Sequence, residues 1–506
     1  LINLRMELIP YLYTAFRTYQ QEGIPPFRPL LMDDPKDERL RTISDQYMIG
    51  NGMMAAPLYE NKKSRKVYFP EGVWYNFNTN EVVRPTIVVA KALRAKLWMY
   101  AASKLFNGGD GSEYYQGLQK LQNSKGEYIF PQSKDPQKWV TARDRVKDLI
   151  DYAEAQHHAL YRVMANGVEQ PDRSVYNLFQ VYNEEILWCS TNNSYSDQYK
   201  MEKRTNPRDV NSCYGTIGPS QDAVDMFFMG NGLAINDPNS GYDETGFSAV
   251  ENHCYDPDYK DKKTDQNISN MYANREPRFY ASVVYQGRSW FKKWMNGNPN
   301  YIVDFSAGGG NDLSNGDNVK TGYMLGKFKN RTVNHASGDT QSWKRVSIIY
   351  RLAEFYLFYA EALNETDPSN PDIIKYIDMV RERAGIPGYQ TMNDNGIKTG
   401  IIGNYDKQFD AIQHERYVEL YCEGQRYFDI RRWMICGDKD RIGCDQTRFY
   451  GMNMKGSKDK TPGEPTSYYT RTKVENRQWT DKLYLYPIHQ NVIELANGRI
   501  PQNYGW

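Results

Sequence analysis

The chain opens on an apolar stripe at helical spacing. Leu4, Leu8, Leu12 and Phe16 predict an amphipathic helix over 4–21, kinked or interrupted at Pro10. Gly23-Ile24-Pro25-Pro26 ends it, and the apolar run from Phe27 to Leu31 reads as a short buried strand. Further strands are expected over 52–58, 66–69 and 73–77, with a turn at Pro70-Glu71-Gly72. Near Val83 the period changes. A helix is expected over 84–106 with Ala92, Leu93, Leu97, Tyr100 and Ala101 on one face, and a second over 141–164. From about 181 to 340 short strands alternate with long loops rich in Gly, Asn, Asp and Tyr. Loops of that length in a compact protein carry function or stay disordered. Helices resume over 346–364, striped by Leu352, Tyr356, Tyr359 and Leu363, and again over 371–384 and 405–433. Small residues at Ala353, Ala360 and Ala362 would let helices cross closely, a pattern of antiparallel pairs akin to tetratricopeptide stacking without its strict repeat signature. The tail over 438–506 is rich in Gly, Pro and Asn and is expected to wrap the surface.

Composition narrows the function classes. At 506 residues the chain can bury a large core in more than one compact unit. Its 63 Lys+Arg balance 62 Asp+Glu, and a nucleic-acid binder needs a basic excess. It carries 41 Tyr, 10 Trp and 19 Phe, flat rings that bury an apolar face and keep a polar edge wet. Such rings suit a core of aromatic helices and equally a surface that stacks on sugars. Cys189, Cys213, Cys254, Cys422, Cys436 and Cys444 form no C-x-x-C pair, so no zinc site or dense disulfide framework is expected; Cys436 and Cys444 could pair. No apolar run is long enough to span a membrane. The residues from Leu1 show neither a basic n-region nor an apolar h-region.

Several candidate chemistries weaken on inspection. The run Asp256-Pro257-Asp258-Tyr259-Lys260-Asp261 lacks the glycine and terminal glutamate of a calcium loop. Gly308-Gly309-Gly310 is not followed by Gly-Lys-Ser/Thr, so it is no nucleotide loop. His157 and His158 are adjacent and point to different sides of a helix. Glu415, Glu419 and Glu423 share a helix face and would repel, and Arg416, Arg426, Arg431 and Arg432 are close enough to neutralise them in a buried ion-pair network. No cofactor is expected.

Two families are resembled in succession. Ile9-Pro10-Tyr11-Leu12-Tyr13, Gly23-Ile24-Pro25-Pro26-Phe27-Arg28-Pro29-Leu30, Asp45-Gln46-Tyr47-Met48-Ile49-Gly50, Ala56-Pro57-Leu58 and the Tyr68–Phe77 segment resemble glycoside hydrolase family 31. This covers about 1–83 and corresponds to the last helix and strand of a (β/α)8 barrel and the start of the following β-domain. From Arg84 onward the chain resembles the SusD/RagB outer-membrane nutrient-binding lipoproteins. The residues that carry this include Lys91–Lys96, Tyr100–Asn107, Arg275-Glu276-Pro277-Arg278-Phe279-Tyr280, Arg351–Ala362, Val380–Gly385, Glu415–Leu420, Glu423–Trp433 and the Tyr486-Pro487-Ile488 … Pro501-Gln502-Asn503-Tyr504-Gly505 ending. Both resemblances start late: the chain reads as a hydrolase tail joined near Val83/Arg84 to a SusD-like protein without its lipidated Cys and first helices.

The resemblance implies a mainly α fold. A SusD-like tetratricopeptide-type helix-pair scaffold (84–506) with long loops and short β-hairpins would follow a small N-terminal α+β fragment (1–83). It implies non-catalytic binding of an oligo- or polysaccharide at the outer-membrane surface, anchored by a lipid. Delivery would be to a SusC-like TonB-dependent transporter. Family 31 catalysis uses two aspartates on barrel strands upstream of these residues; Asp33, Asp34 and Asp37 lie in a polar loop and Asp45 suits a cap or ion pair. The alternatives are a family 31 α-glycosidase fragment, or an inert chimeric product whose exposed helix faces would lower its solubility. On composition, the glycan-contacting rings are expected among Trp290, Trp294, Tyr255, Tyr259, Tyr272 and Tyr242, interleaved with polar residues of the middle loops, while Trp188 and Trp433 are expected in the core.

Overall fold

A computed structural model describes residues 2–58, 65–70, 74, 87–190, 204–208, 214–252, 263–290, 301–314, 318–331, 346–441, 443–497 and 499–506. The chain divides into two compact units, Leu1–Thr86 and Ile87–Trp506.

In the first unit, helix α1 (Ile2–Glu22) runs unbroken through Pro10 and ends at Gly23, whose φ of +74° suits glycine. Strands β1 (Phe27–Pro29), β2 (Tyr47–Ile49) and β3 (Met53–Ala55) form an antiparallel sheet in that order. The Tyr11 hydroxyl donates to the Ile49 carbonyl (2.7 Å) and accepts from the Gly52 N–H (2.8 Å), tying α1 to the β2–β3 turn. Leu30, Leu40 and Met48 make a small core, with Tyr68 and Trp74 packed on it. The segment expected as a strand over 66–69 joins no sheet among the described residues. The Gln46 side-chain amide takes the place of a neighbouring strand, accepting from the Tyr68 N–H (2.8 Å) and donating to its carbonyl (2.7 Å). Of the strand expected over 73–77, only Trp74 lies within the described residues.

The second unit is built on a layer of helices. α2 (Ile87–Ala102) packs on α3 (Pro136–Ala155), which packs on α4 (Leu352–Thr366). α4 in turn packs on α5 (Asp372–Arg383) and α6 (Tyr405–Glu419). Fully buried alanines, among them Ala92, Ala95, Ala142, Ala153, Ala353, Ala360 and Ala362, let these axes approach closely. The face of α2 differs from expectation. Val88, Ala92, Ala95, Met99 and Ala102 go inward, while Leu93 and Leu97 are exposed, because the small-residue row permits the closer contact.

Local chemistry sets the helix ends. α3 starts at Pro136 because the Asp135 carboxylate accepts from the Gln137 N–H, and it stops at His157, whose φ is +67°. The 346–364 helix begins later than expected. Ser347–Arg351 is a strand, paired antiparallel with Ile186–Ser190, and the β-branched Ile348-Ile349 pair favours it. The 405–433 helix is two: α6 breaks at Leu420–Gly424, where Cys422 and Gly424 take positive φ, and α7 (Gln425–Arg432) follows.

Against this layer stands the loop-rich part, with its own aromatic core from Phe227, Phe228, Tyr272, Phe279, Tyr285, Trp290, Phe305, Tyr323 and Tyr468. Among the described residues its sheets are antiparallel pairs of short strands, the longest being β4 (Phe247–Asn252) with β5 (Lys263–Ser269). The fold is thus mainly helical with short antiparallel strands. Among the described residues no helix is long and apolar enough to cross a membrane.

Candidate functional site

The rings singled out by composition do not form one exposed arc. Trp290 is 1% exposed; the backbone of 287–290 pairs with 301–303, and the indole enters the aromatic core. Tyr272 is fully buried, stacked on Tyr285 (4.8 Å between centroids), its hydroxyl 3.1 Å from that of Tyr323. Neither is placed to stack on a sugar. This corrects the expectation: rings in a polar, loop-like stretch were the residues available to fill the core of a part with few long helices. Tyr242 is half-buried and its hydroxyl is held by Glu244 (2.9 Å) and Arg471 (3.3 Å). Tyr255, Tyr259 and Trp294, and the Asp256–Asp261 run, lie outside the described residues. Trp188 packs on the helical core, and Trp433 is buried with its indole N–H donating to Glu361 (2.8 Å).

An open cleft of about 350 Å³ lies beside the β4–β5 hairpin. One wall is Phe247, 38% exposed, its ring set edge-on against buried Tyr469 (5.4 Å, 74°). Ile302 adds a second exposed apolar surface. The polar wall is Gln266, Asn267, Gln286, Asp304, Lys458 and Asp459. Two of these are fixed by mutual bonds. The Gln286 amide donates to Asp304 (2.8 Å) and accepts from the Phe305 N–H (2.5 Å). Asp304 also accepts from Ser306 (2.6 Å) and from Lys458 (2.6 Å). Burial pushes the Asp304 carboxyl up, but these donors outweigh it and hold it below the usual range, while the Asp304 hydrogen bond raises Lys458. Gly287, at φ +87°, turns the chain at the cleft floor; a Cβ there would meet Ile268 at 3.0 Å. Apolar ring and isoleucine on one side, fixed donors and acceptors on the other, is the lining that fits a molecule with C–H faces and a hydroxyl rim.

The second unit also holds a buried charge network that helical spacing located only in part. Glu415, Glu419 and Glu423 are buried in ion pairs, but the cations come from other elements. Arg278 reaches Glu276 (2.6 Å), Glu415 (2.5 Å) and Glu419 (2.9 Å). Arg351 reaches Glu185 (2.8 Å), Glu419 (2.6 Å) and Glu423 (2.7 Å). Arg383 binds Glu185 (2.6 Å) and Glu419, Arg381 binds Glu415 (3.3 Å), and Lys327 binds Glu423 (2.8 Å). Arg416 and Arg432, expected to serve these glutamates, pair instead with Asp429 (both 2.9 Å), and Arg432 also with Glu361 (2.5 Å). The network clamps the loop-rich part to α5 and α6, and no acid/base pair emerges from it.

The remaining candidates are equally occupied. In the first unit Asp33 pairs with Arg28 (2.7 Å), Asp45 with Arg65, and Asp37 with Arg39 (2.8 Å) and the Tyr68 hydroxyl (2.5 Å). Those hydrogen bonds hold Asp37 well below the usual carboxylate range. Cys436 and Cys444 are buried free thiols; Cys444 Sγ accepts from Arg426 (3.1 Å). The His158 ring lies 2.8 Å from the Glu184 carbonyl. Among the described residues no cluster of His, Cys, Asp and Glu is arranged to hold a metal.

Comparison with known proteins separates the two units. The family model of the glycosyl hydrolase family 31 C-terminal domain matches residues 23–103. An α-glucosidase of Saccharolobus solfataricus is 29% identical over 110 residues, 22% of this chain and 16% of that protein. Alpha-glucosidase 2 of Bacillus thermoamyloliquefaciens is 36% identical over 83 residues, 16% of this chain and 10% of that protein. The chain therefore spans a sixth or less of these curated relatives. The match extends through α2, yet α2 buries its small-residue face in the helical core of the second unit. Over most of the chain the solved structure of BT4246 superposes with a TM-score of 0.65 at 24% identity, covering 85% of this chain and 72% of that one. A SusD-like protein (BF3747) from Bacteroides fragilis NCTC 9343 superposes at 0.58 and 21% identity, covering 86% and 67%. The SusD family model matches residues 184–506, which include the cleft, the network and α4 to α7, and the chain belongs to the SusD family.

Proposed function

We propose that the second unit binds an oligo- or polysaccharide without breaking it, at the outer surface of the outer membrane, and passes it to a SusC-like TonB-dependent transporter. Family membership supports the class of function. The observation that carries the location is the cleft at Phe247, where an exposed ring faces hydrogen-bonding groups already locked by Gln286, Asp304 and Lys458. The half-buried Asp304 carboxylate in that lining is already taken up by Lys458, Ser306 and Gln286, which lower its pKa, and the other carboxylate, Asp459, is exposed. Tyr255, Tyr259 and Trp294 remain proposed contacts. The first unit is proposed as a piece of the family 31 architecture without catalytic function, because Asp33, Asp37 and Asp45 are each committed to an arginine rather than to one another. A retaining pair would need two carboxyl groups about 5 Å apart. Affinity electrophoresis on polysaccharide gels tests the location. Phe247→Ala removes the exposed ring and is expected to weaken retention about tenfold, the effect of losing one stacking contact; unchanged mobility refutes the cleft.

A further inference from the structure

A separate concavity in the second unit is lined by α6 together with residues 225–239 of the loop-rich part. It consists of a groove of about 660 Å³ and an adjoining pocket of about 210 Å³, sharing Ala234, Asn236, Asp410 and His414 as lining. None of its residues belongs to the Phe247 cleft.

Three features describe what it accepts. First, its charge cancels: Asp225, Asp237, Asp410 and Asp440 stand against Lys398, Lys407, Arg426 and Arg441, four of each sign. Most are already paired, Asp410 with Arg441 (2.9 Å), Asp237 with Lys398 (2.6 Å) and Asp225 with Arg471 (2.6 Å). A charged ligand would find no surplus of the opposite sign. Second, the walls offer donors and acceptors together. Gln413 is 5% exposed, and its amide nitrogen is buried without an acceptor while its oxygen accepts from Arg441 (2.7 Å). The Arg426 Nε–H is buried without an acceptor as well. Unsatisfied buried donors at a pocket wall cost free energy that an incoming hydroxyl recovers. Third, there is a ring. His414 stacks on Phe228 (4.1 Å, 21°), and its Nε2 lies 2.6 Å from the Met226 carbonyl, so a neutral imidazole donates there and leaves Nδ1 as an acceptor. Burial keeps it neutral by lowering its pKa to about 4. Ile397 and Ile401 continue the apolar lining along the groove.

We propose that this groove is a second carbohydrate site, taking a neutral oligosaccharide whose terminal residue sits in the pocket between His414, Gln413 and the Asp410–Arg441 pair. An apolar strip beside paired charges suits alternating C–H faces and hydroxyls, and 660 Å³ lies within the range of pockets that enclose an extended ligand.

The test is isothermal titration and array binding with maltoheptaose, cellohexaose, xylohexaose and mannohexaose as probes. Wild type is compared with Phe247→Ala, with Asp410→Ala/Arg441→Ala, and with Asn236→Trp. Asp410 and Arg441 are a half-exposed pair and Asn236 is exposed, so these changes spare the core; circular dichroism confirms the fold. The expected result is that either groove variant lowers affinity at least about tenfold, or halves the stoichiometry, for a probe that wild type binds. Groove variants matching wild type in affinity and stoichiometry overturn the proposal, as does wild type binding none of the four. Loss in the groove variants with none in Phe247→Ala sustains the groove and sinks the cleft; the reverse pattern does the opposite.

Discussion

Glu419 is the most consequential side chain to alter. It is 4% exposed and joins a cluster of five carboxylates (Glu185, Glu276, Glu415, Glu419, Glu423) and five cations (Arg278, Lys327, Arg351, Arg381, Arg383). Charges cancel, and the Arg351 guanidinium meets the Glu423 carboxylate as a two-point fork (2.7 Å each). Glu419→Gln keeps the shape and removes one charge, leaving a buried excess of one positive. Breaking one partner out of a buried pair costs about 3–5 kcal/mol. Here three guanidiniums, Arg278, Arg351 and Arg383, lose their shared counterion, so the upper part of that range is expected. Against total stabilities of about 5–15 kcal/mol the loss is large. Guanidinium-chloride unfolding of the whole chain, read by the midpoint at constant slope, measures it. Glu419→Gln/Arg383→Met restores neutrality and should recover part of the loss. A single-variant cost under about 1 kcal/mol, or a double variant as weak as the sum of its parts, refutes the charge-balance argument.

The same network sets the acid response. Burial pushes Glu419 up, but Arg383, Arg351 and Arg278 outweigh it and hold it well below the usual range; Arg351 and Lys327 do the same for Glu423. A carboxylate lowered on folding contributes stability that is present above its unfolded value of about 4.3 and lost as pH falls through the folded value. Glu276 runs the other way, raised by burial, and offsets part of this. The net expectation is acid unfolding below about pH 4.3, with a shallower slope in Glu419→Gln; identical pH profiles would contradict it.

Two further outcomes are expected. Gly424 joins α6 to α7 at φ +86° with open space where a Cβ would sit, so Gly424→Ala isolates backbone strain and should cost about 1–2 kcal/mol in thermal unfolding; no change in melting would show that the turn relaxes. The purified chain should release no glucose from maltose or from p-nitrophenyl α-glucoside, and turnover abolished by Asp33→Asn or Asp45→Asn would overturn the non-catalytic reading of the first unit.

The helical scaffold was legible because its signal is local. The Leu352–Leu363 stripe and the alanine crossings follow from the 3.6-residue period alone, and both are buried as expected. Errors came where one local pattern fits two outcomes. Leu93 and Leu97 make as good a stripe as Ala92, Ala95 and Met99, and only the partner helix selects the small-residue face. Glu415, Glu419 and Glu423 announced a network, but Arg416 points to Asp429, on another side of the helix from those glutamates. The true partners, Arg278, Arg351 and Arg383, are distant in sequence. The cleft suffers the same difficulty more strongly: Phe247, Gln286, Asp304, Lys458 and Tyr469 converge from four segments, and no spacing rule links them.

Of the two uses that the excess of rings suits, an aromatic core and a sugar-stacking surface, the core takes most of them. From the cleft a ladder of packed aromatics runs inward: Phe247 on Tyr469 (5.4 Å), Tyr469 on Tyr272 (6.4 Å), Tyr272 on Phe279 (6.2 Å), Phe279 on Phe227 (5.8 Å) and Phe227 on Tyr421 (5.2 Å). The Tyr421 carbonyl then accepts from Lys327 (2.8 Å), inside the ion network. Hairpins of two strands hold little shape by themselves. Rings that bury large areas with few rotatable bonds give that part a rigid interior, anchored at its far end by five ion-paired cations. One ring at the outer end is then left exposed on a fixed support. A sugar meeting Phe247 need not order the surface that receives it, and the entropy of ordering that weak carbohydrate contacts could not overcome has been met in folding. Under the proposed function Tyr272 acts from inside, by holding still the Tyr469 ring on which Phe247 packs.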